Sequence, residues 1–518
     1  MRRKLAAALA GAVVGSALLV VPGSATTSTT TVATPHPSVP TTSPTIEGPI
    51  GPETGKPGGS TTTFDLASVG YEQSEFFISG TATSYTSANT LTSDGEWSVT
   101  PSDTAPFKTR MLVYRPIDAS KFNGTVVVEW LNVSGGLDSG PDWNSAHVEL
   151  IRKGYAWVGV SAQRVGVEGG SSAIGAAFAL KPSNPERYGS LSLPDDNYSY
   201  DIFTQAGAAV RNSASTVLGG LAPKRLIAAG ESQSAFRLVT YLDAVAPLVK
   251  AYDGYFVHSR APTGAPLVAL PAALDPRKAT PDDAKKLVPA PSPTLIRTDL
   301  DVPVLTLTTE TDLFQFGNVL SRQADSKLFR LWEVAGTAHA DIYTLGIGNT
   351  DVGDGKADVQ LFQSMITPSS KPYGLFACGQ PVNSGEQTYV VRAALAALNR
   401  WVAGTAPPKA PRFVLDPAQP SKRRLDANGN MRSGIQPPAV VAPIAALAGV
   451  GQTGSSFCGL FGTTTPFDTA KLASLYANHA AFVKAWNAAT DKAVMAGFVL
   501  AADAAHIKAA AAQSSIGK

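Results

Sequence analysis

The strongest constraint on the fold is an alternation. Between Val126 and Val334, short apolar runs of strand length repeatedly give way to stretches with helical periodicity. The runs are Val126–Trp130, Tyr155–Val160, Leu226–Ala229, Asp253–Val257, Val304–Thr308 and Phe329–Val334, and helical patterns cover Asp201–Leu218 and Ser234–Leu242. Runs this apolar read as strands covered on both faces, and a crossover helix returns the next strand parallel to the last. The alternation therefore predicts an α/β chain, with a mainly parallel sheet and helices on both faces. Two further β-type runs, Ser74–Ser79 and Thr109–Tyr114, come first. Thr388–Val402 and the Ala-rich stretch 468–512 are helical by pattern, which predicts a helical C-terminal part from about residue 440, packed on the same body, with a separate helical domain as the alternative.

Several segments fall outside that rhythm. Arg2, Arg3 and Lys4 precede the apolar stretch Leu5–Val21, and Gly23-Ser24-Ala25 supplies small residues for cleavage. Residues 1–25 thus read as a secretory leader, with an uncleaved membrane anchor as the alternative. Residues 26–62 are rich in Thr, Ser, Pro and Gly and read as a disordered linker. The globular body, 63–518, contains two long connections, 165–198 and 260–300, of the kind that serve as lids or substrate-binding insertions. Cys378 and Cys458 are the two cysteines, and in an exported chain one disulfide is the expectation. Lys plus Arg is 42 and Asp plus Glu is 40, a balance that argues against a nucleic-acid or membrane-surface partner. No Cys or His cluster has metal-ligand spacing, so no metal is expected.

Chemistry concentrates at Gly230-Glu231-Ser232-Gln233-Ser234, between a short strand and a helix. This resembles the nucleophile elbow Gly-x-Ser-x-Gly, with Ser in place of the last Gly. Such a turn lifts the serine hydroxyl above the sheet and demands small flanking residues where its arms converge. Ser161 and Ser171 also follow Gly by two positions, but neither has the strand and the helix together.

A serine hydroxyl needs a base to become nucleophilic near neutral pH. Of six histidines, His36 lies in the linker, His479 and His506 in the Ala-rich tail, and His147 in a helix-like stretch. His258 ends a strand. His339 follows the last strand and the turn Ala335–Ala338, where the chain order nucleophile, acid, histidine places the base. The acid is expected in Thr309-Glu310-Thr311-Asp312, as Asp312 with Glu310 as rival. An oxyanion hole needs two backbone N–H donors. One is expected from Gln233 and the other from Leu131–Gly136, taken as Asn132 with the donor in that loop left open.

These motifs give the chain a family likeness. Val127–Gly136, Gly154–Gln163, Gly230–Ala235 and Leu331–Asp341 resemble a bacterial secreted alpha/beta hydrolase domain family, serine esterase-like, with GESQS at the elbow. The resemblance implies an α/β-hydrolase fold, Ser232 as nucleophile, His339 as base, and Asp312 or Glu310 as acid. The expected function is secreted hydrolysis of a carboxylic ester through an acyl-enzyme, without a cofactor, on a small or polymeric ester. Extracellular acyl transfer by the same residues, or a non-catalytic binding protein on this scaffold, are the rival readings.

Overall fold

The computed structural model describes residues 42–170, 178–269, 280, 283, 285–416 and 418–518. The expected leader, linker residues 26–41, His36 and Ser171 lie outside the described residues. Nine strands form one sheet: β1 (Thr45–Glu47), β2 (Tyr71–Thr86), β3 (Thr100–Pro116), β4 (Thr125–Trp130), β5 (Ala156–Val160), β6 (Arg225–Glu231), β7 (Gly254–His258), β8 (Val304–Thr308) and β9 (Phe329–Glu333). Their order is β1-β2-β3-β5-β4-β6-β7-β8-β9. From β5 across to β9 every neighbouring pair is parallel. The pairs β1–β2, β2–β3 and β3–β5 are antiparallel.

The main helices are α1 (Pro141–Arg152), α2 (Ser199–Asn212), α3 (Gln233–Thr240), α4 (Lys356–Ile366), α5 (Gln387–Val402), α6 (His479–Met495) and α7 (Ala501–Gln513). Alternation along the strands divides the core into two layers, because successive side chains point to opposite faces. Val126, Val128, Trp130, Leu226 and Ala228 pack with Phe203 of α2 and Leu238 of α3. Val127, Ile227, Ala229, Phe256 and Leu305 pack with Trp143 of α1 and Leu398 of α5. A sheet sandwiched this way leaves only its strand ends open, and the carboxyl ends of β4, β6, β8 and β9 carry the chemistry.

β2 and β3 run well beyond the apolar segments that announce them. The early part of β3, Thr100–Ala105, is exposed and polar, so hydrophobic alternation cannot mark it. The linker expectation needs correction for residues 42–62. Thr45–Glu47 pairs with β2, and the Arg187 guanidinium takes the carbonyls of Gly51 and Gly55 at 2.7 and 2.8 Å. Anchorage here is by backbone hydrogen bonds to a buried arginine, and composition carries no trace of it.

The connection 165–198 is tied down at Ser192, which bridges to Lys108, and at Asp196, which accepts the Arg164 N–H and pairs with Arg237. In the second connection, the buried Arg260 guanidinium reaches the carbonyls of Ala261, Pro262 and Thr294. Helices α4, α6 and α7 share a core of Phe362, Phe482, Trp486 and Ile507 with Tyr343 and Tyr389. Cys378 and Cys458 are joined, with Cα atoms 5.6 Å apart. Two residues beyond Cys458 the chain meets the loop after β9, where the Ala340 N–H donates to Leu460 O at 3.1 Å. Among the described residues no helix is long and apolar enough to cross a membrane.

Candidate active site

Ser232 stands between β6 and α3 with φ 57° and ψ −122°. That backbone region disfavours a side chain, and an L-residue held there stores strain that the surrounding structure must support. Two features hold it. The Ser232 N–H donates to His258 O at 3.0 Å, so the neighbouring strand grips the turn. A Cβ on Gly230 would come within 3.1 Å of Ser234 O, so a side chain on the first arm would press against the backbone of the second. Ser234 is fully buried and fits where the usual motif has glycine.

The loop after β9 brings His339 to this turn. Its Nε2 lies 2.7 Å from Ser232 Oγ, and its Nδ1 lies 2.6 Å from Asp312 Oδ1. The His339 N–H donates to Thr311 Oγ1 at 3.0 Å, and Phe316 meets the imidazole edge-on with centroids 5.0 Å apart. Asp312 is fully buried, and its Oδ2 accepts from the Thr309 N–H at 2.7 Å and from Thr309 Oγ1 at 2.8 Å. Burial pushes the Asp312 carboxyl up, but His339 and the Thr309 donors more than offset it, leaving it below its ordinary value. Burial likewise pulls the His339 imidazole down, while Glu231 and Asp312 more than offset it and hold it above its ordinary value.

The rival acid sits elsewhere. Glu310 Oε1 accepts the Gly336 N–H at 2.7 Å, and Oε2 pairs with Arg423 at 3.0 Å. It braces the turn before His339 and does not meet the imidazole. Ser161 is buried in an ion-pair cluster with Arg110 and Asp138. His147 and His479 bond to backbone carbonyls, and His506 lies on α7. His258 pairs with Asp142 at 2.8 Å, away from Ser232 Oγ.

The oxyanion donors divide. Gln233 heads α3, where its N–H has no helical carbonyl to take. The expectation for Asn132 needs correction, because its N–H donates to Ser139 O at 2.8 Å. Its side-chain amide donates to Glu231 O at 3.1 Å, so Asn132 braces the elbow from the β4 side. One residue on, the Val133 N–H has no acceptor among the described residues.

Glu231 itself was not singled out by sequence. It occupies the variable position of the motif, yet its Oε1 lies 3.4 Å from His339 Nε2. Among the described residues no group of three or more His, Cys, Asp or Glu side chains is arranged to hold a metal ion.

A sheet of this order, carrying a serine on a strained strand-to-helix turn and a histidine after its last strand, agrees with a family model. The model for the alpha/beta hydrolase domain matches residues 46–509. The chain belongs to the alpha/beta hydrolase family. It has the α/β-hydrolase fold, and by family it is a hydrolase. No curated protein sequence matches it. Among solved structures it is similar to a fungal esterase from Rhizomucor miehei, at 15% identity and TM-score 0.22, covering 50% of this chain and 74% of that one. It is similar to a carboxylesterase of Lactobacillus plantarum at 13% identity and TM-score 0.23, covering 44% and 72%. An acetyl xylan esterase from a Thermoanaerobacterium species matches at 12% identity and TM-score 0.28, covering 56% and 81%.

Proposed function

We propose that this hydrolase is an exported serine esterase that cleaves carboxylic esters through an acyl-enzyme. The observation that carries the reading is the continuous path Ser232 Oγ, His339 Nε2, His339 Nδ1, Asp312, closed at 2.7 and 2.6 Å. In the first step Ser232 Oγ bonds to the ester carbonyl carbon, its proton passes to Nε2, and the carbonyl electron pair moves onto oxygen. The Gln233 N–H and a donor from the 131–136 loop, for which Val133 is free, receive that oxyanion. Collapse expels the alcohol, which takes the Nε2 proton. Water then repeats the sequence on the acyl-enzyme and releases the acid.

Asp312 keeps the Nδ1 proton in place and offsets the imidazolium charge. Export is supported by the leader-like residues 1–25 and by the disulfide between Cys378 and Cys458. A fluorophosphonate probe should label the protein covalently, and Ser232→Ala should abolish labelling and lower p-nitrophenyl ester turnover about 10⁵-fold or more. Near-normal turnover by a folded Ser232→Ala protein would sink the proposal.

A further inference from the structure

We infer that Glu231 is a positioning residue that sets the basicity of His339 from the nitrogen edge opposite Asp312. The inference rests on the esterase reading of the site, and it concerns a carboxyl that the serine, histidine and acid do not require. Two oxygens face His339 Nε2: Ser232 Oγ at 2.7 Å and Glu231 Oε1 at 3.4 Å. The imidazole therefore lies between two carboxyl groups, one on each ring nitrogen. Asp312 is fully buried, and Glu231 is 8% exposed.

Glu231 is held in place from three sides. Its backbone ends β6, directly before the strained Ser232. Asn132 donates from the loop after β4 to its carbonyl at 3.1 Å and stands 3.4 Å from Oε2. His339 closes the remaining side. The other titratable groups that act on it are His258 at the end of β7, Asp142 on α1 and Asp312 after β8. Burial pushes the Glu231 carboxyl up to about 7, against the pull of the two histidines.

The consequence follows from the proton's path. When Ser232 attacks, its proton moves to Nε2 and the ring becomes positive. A carboxylate 3.4 Å away favours that charge in a site with little water to screen it. Glu231 takes no proton from the serine and forms no bond to substrate. It raises the affinity of Nε2 for the proton, and it does so only while ionised. His339 and Glu231 therefore titrate as a coupled pair, and the acid limb of the rate profile belongs to both.

The test uses the full-length protein and p-nitrophenyl acetate across pH 4.5–9. Glu231→Gln keeps size and hydrogen bonding but removes the charge. Its acid limb in kcat/KM should move down by about one pH unit, and its plateau should fall about tenfold. Glu231→Asp keeps the charge and should retain the wild-type limb. A carboxyl that only braces Asn132 would change melting temperature and leave the limb where it is, which would overturn the inference. If Glu231→Gln does not fold, the His339 ring resonances of the wild-type protein decide. Two titration steps support the coupling, and a single step overturns it. Failure of the wild-type protein to bind fluorophosphonate or to hydrolyse the ester would refute the esterase reading instead, and the His339 titration would still decide the role of Glu231.

Discussion

Two histidine–aspartate pairs stand among the described residues, and they behave in opposite ways. His339 Nδ1 meets Asp312 at 2.6 Å, and His258 Nδ1 meets Asp142 at 2.8 Å. Both histidines follow or end a parallel strand, and both pairs are buried. The difference lies in what surrounds each carboxyl. Asp312 receives two further donors from Thr309 and stays below its ordinary value. Asp142 Oδ2 has no partner among the described residues, and burial pushes this carboxyl well up. Glu129 adds to the crowding, since its carboxylate accepts the N–H groups of Asp142 and Trp143. His258 follows its partner: burial pulls it below its ordinary value, and its Nε2 faces the Gln387 amide at 2.9 Å. A histidine–aspartate contact is thus no sign of a working base. What sets the His339 pair apart is the donors on its carboxyl and the serine hydroxyl against its Nε2.

Three substitutions break or sharpen this contrast. Asp312→Asn should lower kcat about 10⁴-fold with little change in folding, since Asn stabilises the wrong tautomer and cannot offset the imidazolium. Turnover measured beside a thermal melt checks it, and an active Asp312→Asn protein would reverse the assignment of the acid. His258→Leu should cost about 3 kcal/mol of stability, because Asp142 and Gln387 lose a buried partner. Turnover per folded molecule should stay within about tenfold of wild type. Denaturant unfolding at several pH values adds a second readout. The folded His258 has a pKa below its unfolded one, so the unfolded state binds more protons as pH falls through about 6.5. The His258 contribution to stability is therefore lost there, and the stability difference between wild type and His258→Leu should shrink as pH falls through that range. The smallest effect is expected from Asp142→Asn. Asn mimics the protonated form that burial favours at Asp142, so stability should change by less than about 1 kcal/mol. A loss comparable to that of His258→Leu would show that Asp142 is ionised.

Sequence reading reached Ser232 because the elbow is local: a strand, a turn and a helix within 17 residues, Leu226–Leu242. His339 and Asp312 were legible because each follows a strand whose apolar run is plain. The choice between Asp312 and Glu310 was open, since two carboxyls two positions apart differ only in which way the turn aims them. The pair His258–Asp142 spans 116 residues, and no local pattern announces it. Glu231 escaped notice because the motif treats its position as free. The role of Asn132 is not legible, because loop glycines mark an unusual backbone course without saying which N–H is spent on Ser139. A carboxyl at the variable position of a Gly-x-Ser turn, directly before the serine, is the local signal for Glu231.

The short strand β1 has a consequence beyond its size. It closes one edge of the sheet against β2, a strand running from Tyr71 to Thr86 with Phe76, Phe77 and Ile78 at its centre. Chains cut after residue 62 would bare that edge, with its N–H and C=O groups turned outward in register. Such an edge recruits a second chain as readily as it once held its own. Removing β1 would free the Phe77–Ser79 stretch of that edge, the part of β2 that β1 pairs with.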